Sequence, residues 1–481
     1  MVMNKTLLRA FLFTAIMAIT ASAQNENFDK IFKYYVADKN FSGVALVASE
    51  GKIEYLNGSG FSNRQTGSEL TTKSKFRICS ITKTFTAVII MQLYEQGKID
   101  LNAPISKYFP EYKGEGRDQI SIDNLLTYSS GLDNIDQRDE AIHNTLMSPD
   151  VQIDKFFSGK PVSVPGKQFS YKNADFVILG KIIEKITGET FAEVLSRNIL
   201  QPLGMTNSGY LKNGDIVNSL ASSYLLDKTS GTFRNDDPFW IDNFYAAGAM
   251  YSTVEDLLKF DQAIFNYKIL QQKTVDMMLV PRPALNSVGY GFWISPVKFG
   301  SVTARAADRQ GSISGNNATW IHLPDQKKTV IIFSNTDATK INEMREKLVL
   351  ATLGQPVSLP AVQKPLNPDV AVGPNQIVGT WEIDLRPKLN SDPYLKDFII
   401  SKAGEKTISG NFYGSDFENG QLNTDWGKTY FAFTTGDKDA TYFHSGTIEG
   451  NKISGVSYSP DRKFVLPWSG RKIDLSANKK I

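Results

Sequence analysis

A proline-rich segment divides this chain of 481 residues into two parts with different sequence patterns. Five prolines lie between residues 355 and 375, and a segment of this composition is typical of a stiff linker. The chain is also longer than one typical domain. We therefore predict two folded domains, at residues 24–354 and 376–481, with the linker at 355–375 between them.

The part before the linker combines strand-like and helical patterns in a fixed order. Strand-like runs lie at residues 42–57, 290–294, 317–323 and 329–334, and helical runs lie at 82–96, 175–187, 253–265 and 342–353. Helices and loops fill most of residues 101–210. This order predicts an α/β (α+β) fold, in which an antiparallel sheet is built from both ends of the domain, is flanked by helices and is interrupted by a helical insertion.

The part after the linker has a different pattern. Aromatic residues recur in short β-like runs, and Gly, Asn and Asp separate these runs. A segment of about 100 residues with this pattern is typical of a small all-β barrel. We therefore predict a β-barrel at residues 376–481.

The first 23 residues have the pattern of a secretory signal peptide. Lys5 and Arg9 form a basic start, residues 10–20 are apolar, and Ala21-Ser22-Ala23 is a small-residue cleavage site. The apolar stretch is short for a membrane span. We predict a periplasmic or secreted protein, without a stable membrane anchor once the signal is removed.

Composition excludes several kinds of partner and cofactor. The formal net charge of +3 gives no electrostatic reason to expect binding to nucleic acid. The single cysteine, Cys79, allows no disulfide within the chain, and we interpret it as a small buried residue. Only three histidines occur, which argues against a metal site. We predict no metal and no cofactor, and we expect a small molecule or a peptide as substrate.

The motif Ser-x-x-Lys at residues 80–83 carries the first chemical signal. A helix that begins here brings Ser80 and Lys83 onto one face and directs its positive end at Ser80. Four other serines have a lysine three residues later, but only Ser80 opens a long apolar-periodic helix. The motif alone is more typical of an ordinary helix cap.

Two further motifs support the chemical interpretation. Tyr171 and Asn173 are two residues apart in a polar segment, so their side chains can point to the same side. Residues 309–312, Arg-Gln-Gly-Ser, lie at the start of a strand-like region. There Gly311 allows close approach of a ligand, and Arg309 supplies a fixed positive charge.

Together the three motifs resemble those of the penicillin-recognising serine hydrolases, in their order and rough spacing. This group includes class C β-lactamases, D-alanyl-D-alanine carboxypeptidases and esterases. The resemblance covers about residues 28–350 and includes secondary matches at 125–132, 247–253 and 334–337. It implies the β-lactamase/transpeptidase-like fold. The C-terminal part resembles the small lipocalin-like barrels that are appended to some of these hydrolases.

The resemblance also implies roles for individual residues. Ser80 is the acylated nucleophile, and Lys83 accepts its proton or supports it electrostatically. Tyr171 is a general base or a proton relay, and Asn173 orients Lys83. The backbone N–H groups of Ser80 and Ser312, next to Gly311, form the oxyanion hole.

Two positions depart from the pattern of the group. Arg309 occupies a position that is usually Lys or His, and because arginine does not deprotonate it can bind a carboxylate but cannot act as an acid or base. Tyr128-Ser129-Ser130-Gly131-Leu132 replaces the usual His-Thr-Ser-Gly-Leu, a change that we interpret as structural.

The function that we predict is an exported serine hydrolase that forms an acyl-enzyme at Ser80 on amide, ester or β-lactam substrates. Two alternatives are a D-stereospecific cell-wall peptidase or carboxypeptidase, and a non-catalytic binding or sensor protein that uses the same cleft. A Ser-His-Asp mechanism through His143 or His322 is the chemical rival. The substrate itself, the role of the barrel, the effect of Arg309 and the oligomeric state stay open.

Overall fold

The computed structural model describes residues 25–37, 40–135, 145–227, 230–359, 373–425 and 428–473. The chain forms two compact units, which divide between Pro360 and Ala361. The predicted signal peptide at 1–23, residues 360–372 of the predicted linker, and His143 lie outside the described residues.

The first unit is built on a six-stranded antiparallel sheet. Its strands are β1 (Gly43–Ser49), β2 (Lys52–Ser59), β3 (Trp293–Phe299), β4 (Val302–Ile313), β5 (Asn316–Leu323) and β6 (Lys328–Ser334). The order across the sheet is β3-β4-β5-β6-β1-β2, so strands from the two ends of the unit meet in the middle. There Gly43 pairs with Ser334 and Ser49 with Lys328.

Five longer helices accompany the sheet. They are α1 (25–37), α2 (Thr82–Glu95), α3 (Ala174–Thr187), α4 (Val254–Phe265) and α5 (Ile341–Thr352). Shorter α-helices lie at Ile105–Tyr108, Ile122–Leu126, Pro149–Gln152, Phe191–Leu195, Tyr245–Gly248 and Gln272–Met278, with 3₁₀ turns at Cys79–Ile81, Ile241–Phe244 and Pro283–Leu285 and π turns at Ile153–Phe157 and Ser196–Leu200. Short strands outside the sheet lie at Phe61–Asn63, Ser68–Glu69, Phe76–Arg77, Gly209–Tyr210, Tyr224–Leu226, Phe233–Asn235 and Met250–Ser252.

Both faces of the sheet are buried, because successive side chains of a strand point to opposite faces. In β1, Val44 and Leu46 belong to the larger core, which also contains apolar residues of α2, α3 and α4. Ala45 and Val47 belong to a second core, which contains residues of α1 and α5. This double burial explains why β1 is a continuous apolar run rather than an alternating one.

The second unit is a closed antiparallel barrel of eight strands. The strands are β7 (Gly379–Asp384), β8 (Leu395–Ala403), β9 (Thr407–Phe412), β10 (Ser415–Asn423), β11 (Thr429–Gly436), β12 (Thr441–Glu449), β13 (Lys452–Ser459) and β14 (Phe464–Lys472), and a short helix, Pro374–Ile377, precedes them. Trp381, Phe398, Phe433 and Trp468 are among the aromatic residues that fill its core. Pairing of β7 with β14 closes the barrel and leaves no free sheet edge.

The predicted fold class is confirmed for both units, but two sequence predictions were wrong in detail. The strand predicted at 290–294 begins only at Trp293 and continues to Phe299. Arg309 does not lie at the start of a strand, because it falls near the end of the twelve-residue strand β4. Alternating small and polar residues in β4, such as Ala304 and Arg305, gave no strong apolar signal.

None of the helices in the described ranges has the length and apolar composition that a membrane span requires.

Candidate active site

Ser80 lies in a tight turn that leads into α2. The turn is a 3₁₀ segment, Cys79–Ile81, and α2 begins directly after it. Cys79 adopts a left-handed conformation with a φ of 50°, which is costly for a residue with a side chain and is common at functional sites. The turn therefore holds Ser80 at the positive end of α2, where a developing negative charge is stabilised.

Lys83 lies one helical turn beyond Ser80 and is fully buried. Its Nζ donates hydrogen bonds to Ser80 Oγ at 3.0 Å, to Asn173 Oδ1 at 2.7 Å and to the carbonyl oxygen of Ala247 at 2.8 Å. These acceptors suit a protonated ammonium, which has three donors and no lone pair to offer. Sequence and structure thus agree that Ser80, Lys83 and Asn173 lie together.

Tyr171 and Asn173 reach this cluster from the segment before α3, which begins at Ala174. The side chain of Asn134 fixes the segment by donating to the backbone oxygen of Tyr171 at 2.7 Å. Lys83 Nζ lies 5.1 Å from the centre of the Tyr171 ring. The phenol and the carboxamide therefore face the same lysine, as their spacing in the sequence predicts.

Two buried cations control the ionisation of Tyr171. Burial is the largest single influence and opposes loss of its proton, but the charges of Lys83 and Arg309 and the hydrogen bonds of the site together lower the pKa of Tyr171 to about 8. Side-chain hydrogen bonds with Ser80 and Lys83 act in the same direction. Tyr171 is therefore the group of the site that can change its charge close to neutral pH.

A pH profile tests this inference. Because only the phenolate can accept a proton, kcat/KM for a neutral ester is expected to rise with pH and to level off above about 8. Tyr171→Phe should lower kcat/KM roughly 100-fold and remove this titration. Steady-state hydrolysis from pH 6 to 10 measures both effects, with thermal melting as the control for folding. A wild-type profile that is flat across this range would exclude Tyr171 as the base.

Arg309 lies beneath the turn Cys79–Ile81, called here the nucleophile turn because it carries the predicted nucleophile Ser80, and its side chain is fully buried. Its Nε and Nη2 donate to the carbonyl oxygen of Ser80 at 2.9 and 2.6 Å, and its Nη1 donates to the Tyr128 hydroxyl at 3.0 Å. Its Nη2 also lies 3.4 Å from the Tyr171 hydroxyl. The prediction that Arg309 is available to a substrate carboxylate is therefore not supported, because its donors face the protein.

This arrangement also connects the two departures from the family pattern. The hydroxyl of Tyr128 and the guanidinium of Arg309 are hydrogen-bond partners, although the residues are far apart in the sequence. Burial raises the pKa of Tyr128 well above its usual range, so this hydroxyl stays neutral. Tyr128 thus fixes the orientation of Arg309 without cancelling its charge.

Gly311 and Ser312 pass the nucleophile turn at the end of β4. A Cβ atom at Gly311 would lie 2.3 Å from the carbonyl oxygen of Ile78 and 2.9 Å from the backbone nitrogen of Ser80. Only glycine therefore fits at this crossing. Ser312 is exposed, and its hydroxyl donates to Asn317 Oδ1 at 2.9 Å.

The contact at Gly311 gives a second prediction. Gly311→Ala forces the strand away from the turn and would displace a backbone N–H of the predicted oxyanion hole, so kcat should fall roughly 100-fold. Gly214→Ala is the matched control, because a Cβ there meets no atom within 4 Å. Steady-state kinetics of both variants measure this change in kcat, and unchanged turnover in a folded Gly311→Ala variant would contradict the prediction.

A cavity of about 600 Å³ opens beside Ser80 and Tyr171. Its other lining residues are Phe169, Asn286, Trp293, Asp308, Gln310, Gly311, Ser312, Asn317, Ala318, Ile341 and Asn342. The sequence had suggested segments 132–160 and 205–245 as the walls. The described lining residues come from other segments, and residues 136–144 of the first segment lie outside the described residues. The aromatic rings of Phe169, Trp293 and Tyr171 form one apolar side of the cavity.

The histidines and the cysteine that we describe do not join this cluster. His322 Nδ1 lies 3.0 Å from Asp261 Oδ1, and its ring stacks on Phe265 at 3.6 Å, so its partners belong to the core. His444 lies in the barrel. Burial raises the pKa of the Cys79 thiol to about 12, which leaves it unreactive. Within the described ranges, His, Cys, Asp and Glu form no group of three or more that could hold a metal ion.

Sequence reasoning missed three functional contacts. The carbonyl oxygen of Ala247 holds Lys83, the Tyr128 hydroxyl holds Arg309, and Trp293 lies with its ring centre 5.1 Å from the Arg309 guanidinium. The family match at 247–253 was the only signal for the first of these. A backbone acceptor and a ring contact leave no pattern in the sequence that spacing alone can reveal.

Comparisons with known proteins agree with this geometry. The family model described as Beta-lactamase matches residues 28–353. Penicillin-binding protein PbpX of Bacillus subtilis is 26% identical over 317 residues, which are 65% of this chain and 76% of that protein. Teichoic acid D-alanine hydrolase of Staphylococcus aureus is 27% identical over 293 residues, which are 57% of this chain and 68% of that protein.

Solved structures show the same fold. The octameric penicillin-binding protein homologue from Pyrococcus abyssi has a TM-score of 0.61 and 22% identity, and the match covers 92% of this chain and 99% of that one. The D-amino acid amidase from Ochrobactrum anthropi has a TM-score of 0.60 and 24% identity over 69% of this chain and 99% of that one. Because the family match spans more than half of the sequence, this chain belongs to the beta-lactamase family and is a serine hydrolase.

Proposed function

We propose that the protein is an exported hydrolase that cleaves amide, ester or β-lactam bonds through an acyl-enzyme at Ser80. One observation carries the proposal. Ser80 Oγ lies 3.0 Å from the buried ammonium of Lys83. Tyr171, which has a pKa of about 8, forms side-chain hydrogen bonds with both Ser80 and Lys83. A serine needs such a base nearby to become a strong nucleophile.

The geometry suggests how the proton moves. In acylation, Ser80 Oγ forms a bond to the substrate carbonyl carbon, and its proton passes to the Tyr171 phenolate. Lys83 stays charged, because its ammonium is held by Asn173 and Ala247, and it stabilises the phenolate. The tetrahedral oxyanion is held by the backbone N–H groups of Ser80 and Ser312.

The second half of the reaction uses the same groups. When the tetrahedral intermediate collapses, the bond to the leaving group breaks and the Tyr171 proton passes to that group. Water then attacks the acyl ester of Ser80, with Tyr171 accepting its proton. When this second tetrahedral intermediate collapses, the bond from the acyl group to Ser80 Oγ breaks, the Tyr171 proton passes to Ser80 Oγ, and the acid product is released. Arg309 acts as a positioning residue, which holds the Ser80 carbonyl oxygen and supports the charge on Tyr171.

The names of similar proteins favour one substrate stereochemistry as a second candidate. One relative is named a teichoic acid D-alanine hydrolase, and one structural neighbour is a D-amino acid amidase. Hydrolysis of D-amino-acid esters or amides is therefore the form of this activity to test first. A matched pair of D-alanyl and L-alanyl nitrophenyl esters distinguishes it from a non-stereospecific esterase.

Active-site labelling tests the acyl-enzyme directly. A fluorophosphonate probe should add one adduct to the full chain, and peptide mapping by mass spectrometry should locate it on Ser80. Ser49 is the internal control, because it has a lysine at the same spacing but lies at the end of a hairpin strand. Absence of any adduct, or an adduct elsewhere, would overturn the proposal.

Export and domain organisation belong to the same proposal. The signal-like residues 1–23 support export to the periplasm or the medium, and the name of the teichoic acid hydrolase points to the cell envelope as the place of action. We propose the boundaries 24–354 and 376–481 for the hydrolase domain and the lipocalin-like barrel. N-terminal sequencing of the exported protein should find Gln24 first.

A further inference from the structure

The charges around the cavity distinguish between kinds of substrate. Of the residues described as lining it, none is lysine or arginine, and Asp308 is the one charged side chain. The polar remainder consists of the Ser80, Ser312 and Tyr171 hydroxyls and the amides of Asn286, Gln310, Asn317 and Asn342. The cavity thus offers a substrate neutral hydrogen bonds and an apolar wall, and when Tyr171 is a phenolate it adds a negative charge and not a positive one.

The two cations of the active site lie below this surface. Lys83 and Arg309 each have no accessible surface, and their donors point to acceptors of the protein itself. A carboxylate in the cavity would therefore have to be stabilised at a distance, without an ion pair to either side chain. Removing a carboxylate from water without such a partner is unfavourable.

Asp308 does not supply the positive charge that a substrate carboxylate would need. Its carboxylate is held by Arg345 in a two-bond pair, with Nη1 to Oδ1 at 2.6 Å and Nη2 to Oδ2 at 3.0 Å. Arg345 also donates from Nη1 to Thr319 Oγ1, and it is not among the lining residues. The side of the cavity formed by β4 and α5 is consequently neutral or slightly negative.

We infer that this active site selects acyl donors whose leaving group carries no carboxylate. Esters and primary amides are its substrates, whereas peptides with a free terminal carboxylate and β-lactams, which carry a carboxylate beside the scissile bond, are disfavoured. This inference rests on the proposed acyl-enzyme function and narrows it. It predicts that the enzyme is neither a carboxypeptidase nor an antibiotic-hydrolysing enzyme.

Two matched esters test the inference. Both carry the N-acetyl-D-alanyl group, and the leaving group is 3-hydroxybenzoate in one ester and methyl 3-hydroxybenzoate in the other. Each kcat/KM is divided by the rate of the same ester with hydroxide, which removes the difference in leaving-group reactivity. The uncharged ester should be preferred roughly tenfold or more, the scale of one charge-assisted hydrogen bond.

A new cation in the cavity should weaken this preference. Gln310→Lys and Asn342→Lys place an ammonium on the cavity side formed by β4 and α5, and each should lower the ratio of the two rates at least about threefold. Gln310→Met and Asn342→Gln are the uncharged controls, and their ratios should stay within about twofold of the wild-type ratio. Circular dichroism shows that each variant is folded. Because Asn342 Nδ2 donates to Gln310 Oε1 at 2.9 Å, each lysine variant is compared with the uncharged control at the same position.

The possible outcomes distinguish failure of this inference from failure of the proposed function. If both esters are cleaved at equal corrected rates and Ser80→Ala cleaves neither, the inference is overturned and the acyl-enzyme function stands. If the carboxylate ester is preferred, the inference is likewise overturned. If the wild type cleaves neither ester and takes up no fluorophosphonate, the proposed function fails and the inference fails with it.

Discussion

Ser80→Ala is expected to lower hydrolysis of a neutral ester by a factor on the order of a million, the scale on which other serine hydrolases lose turnover without their nucleophile. The reason is that the hydroxyl of Ser80 contacts both Lys83 and Tyr171, the two groups that would activate it. Steady-state turnover and fluorophosphonate labelling measure the effect, and both should vanish. The fold should be unaffected, because the change removes one half-buried hydroxyl.

Ser49→Ala is the matched control for this prediction. Ser49 also precedes a lysine by three residues, but the pair spans the turn between β1 and β2. This variant should be labelled like the wild type and should retain its activity. Substantial turnover in a folded Ser80→Ala variant would show that the nucleophile lies elsewhere, and it would remove the basis of the mechanism.

Lys83→Ala is expected to reduce acylation about 10,000-fold, at the upper end of what a proton-transfer group contributes. The variant loses the cation that contacts Ser80 and that lowers the pKa of Tyr171. Both losses act on the same step, since the phenolate becomes harder to form and the serine less acidic. Rapid mixing with a nitrophenyl ester measures the burst of acylation directly.

Two further variants separate chemistry from folding. Lys83→Ala leaves the Asn173 side chain and the Ala247 carbonyl oxygen without their lysine donor, which costs roughly 1–3 kcal/mol of stability. Lys83→Met fills the same space without charge, and Lys52→Ala removes the lysine of the similar motif on the hairpin. Thermal melting of all three shows whether they are folded. Normal acylation in folded Lys83→Met would contradict the role of the ammonium.

Local sequence patterns predicted those parts of the site that depend on one element. Ser80 and Lys83 were predictable because a helix fixes residues three apart on one face, and α2 begins as expected at Thr82. Tyr171 and Asn173 were predicted to share one side from their alternate spacing, and both face Lys83, although Asn173 adopts helical backbone angles at the start of α3. The hairpin of β1 and β2 and the aromatic runs of the barrel likewise follow from short-range periodicity.

The sequence was less informative where several elements meet. The role of Arg309 was predicted from its charge, which gives no information about which way the side chain points. In the structure β4 passes under the turn at residues 79–81, so the guanidinium contacts the Ser80 carbonyl oxygen and the Tyr128 hydroxyl. The pairing of Tyr128 with Arg309 could not be read from either motif separately.

By itself the sequence indicated the family, the order of the elements and the candidate reactive groups, because each of these follows from short motifs and local spacing. Only the tertiary structure decided which charges reach the cavity. Burial of Lys83 and Arg309 depends on the packing of α2, α3 and β4 around the nucleophile turn, and packing arises from contacts between residues that are distant in the chain. Because they are buried, the two cations that promote ionisation of Tyr171 cannot form an ion pair with the substrate.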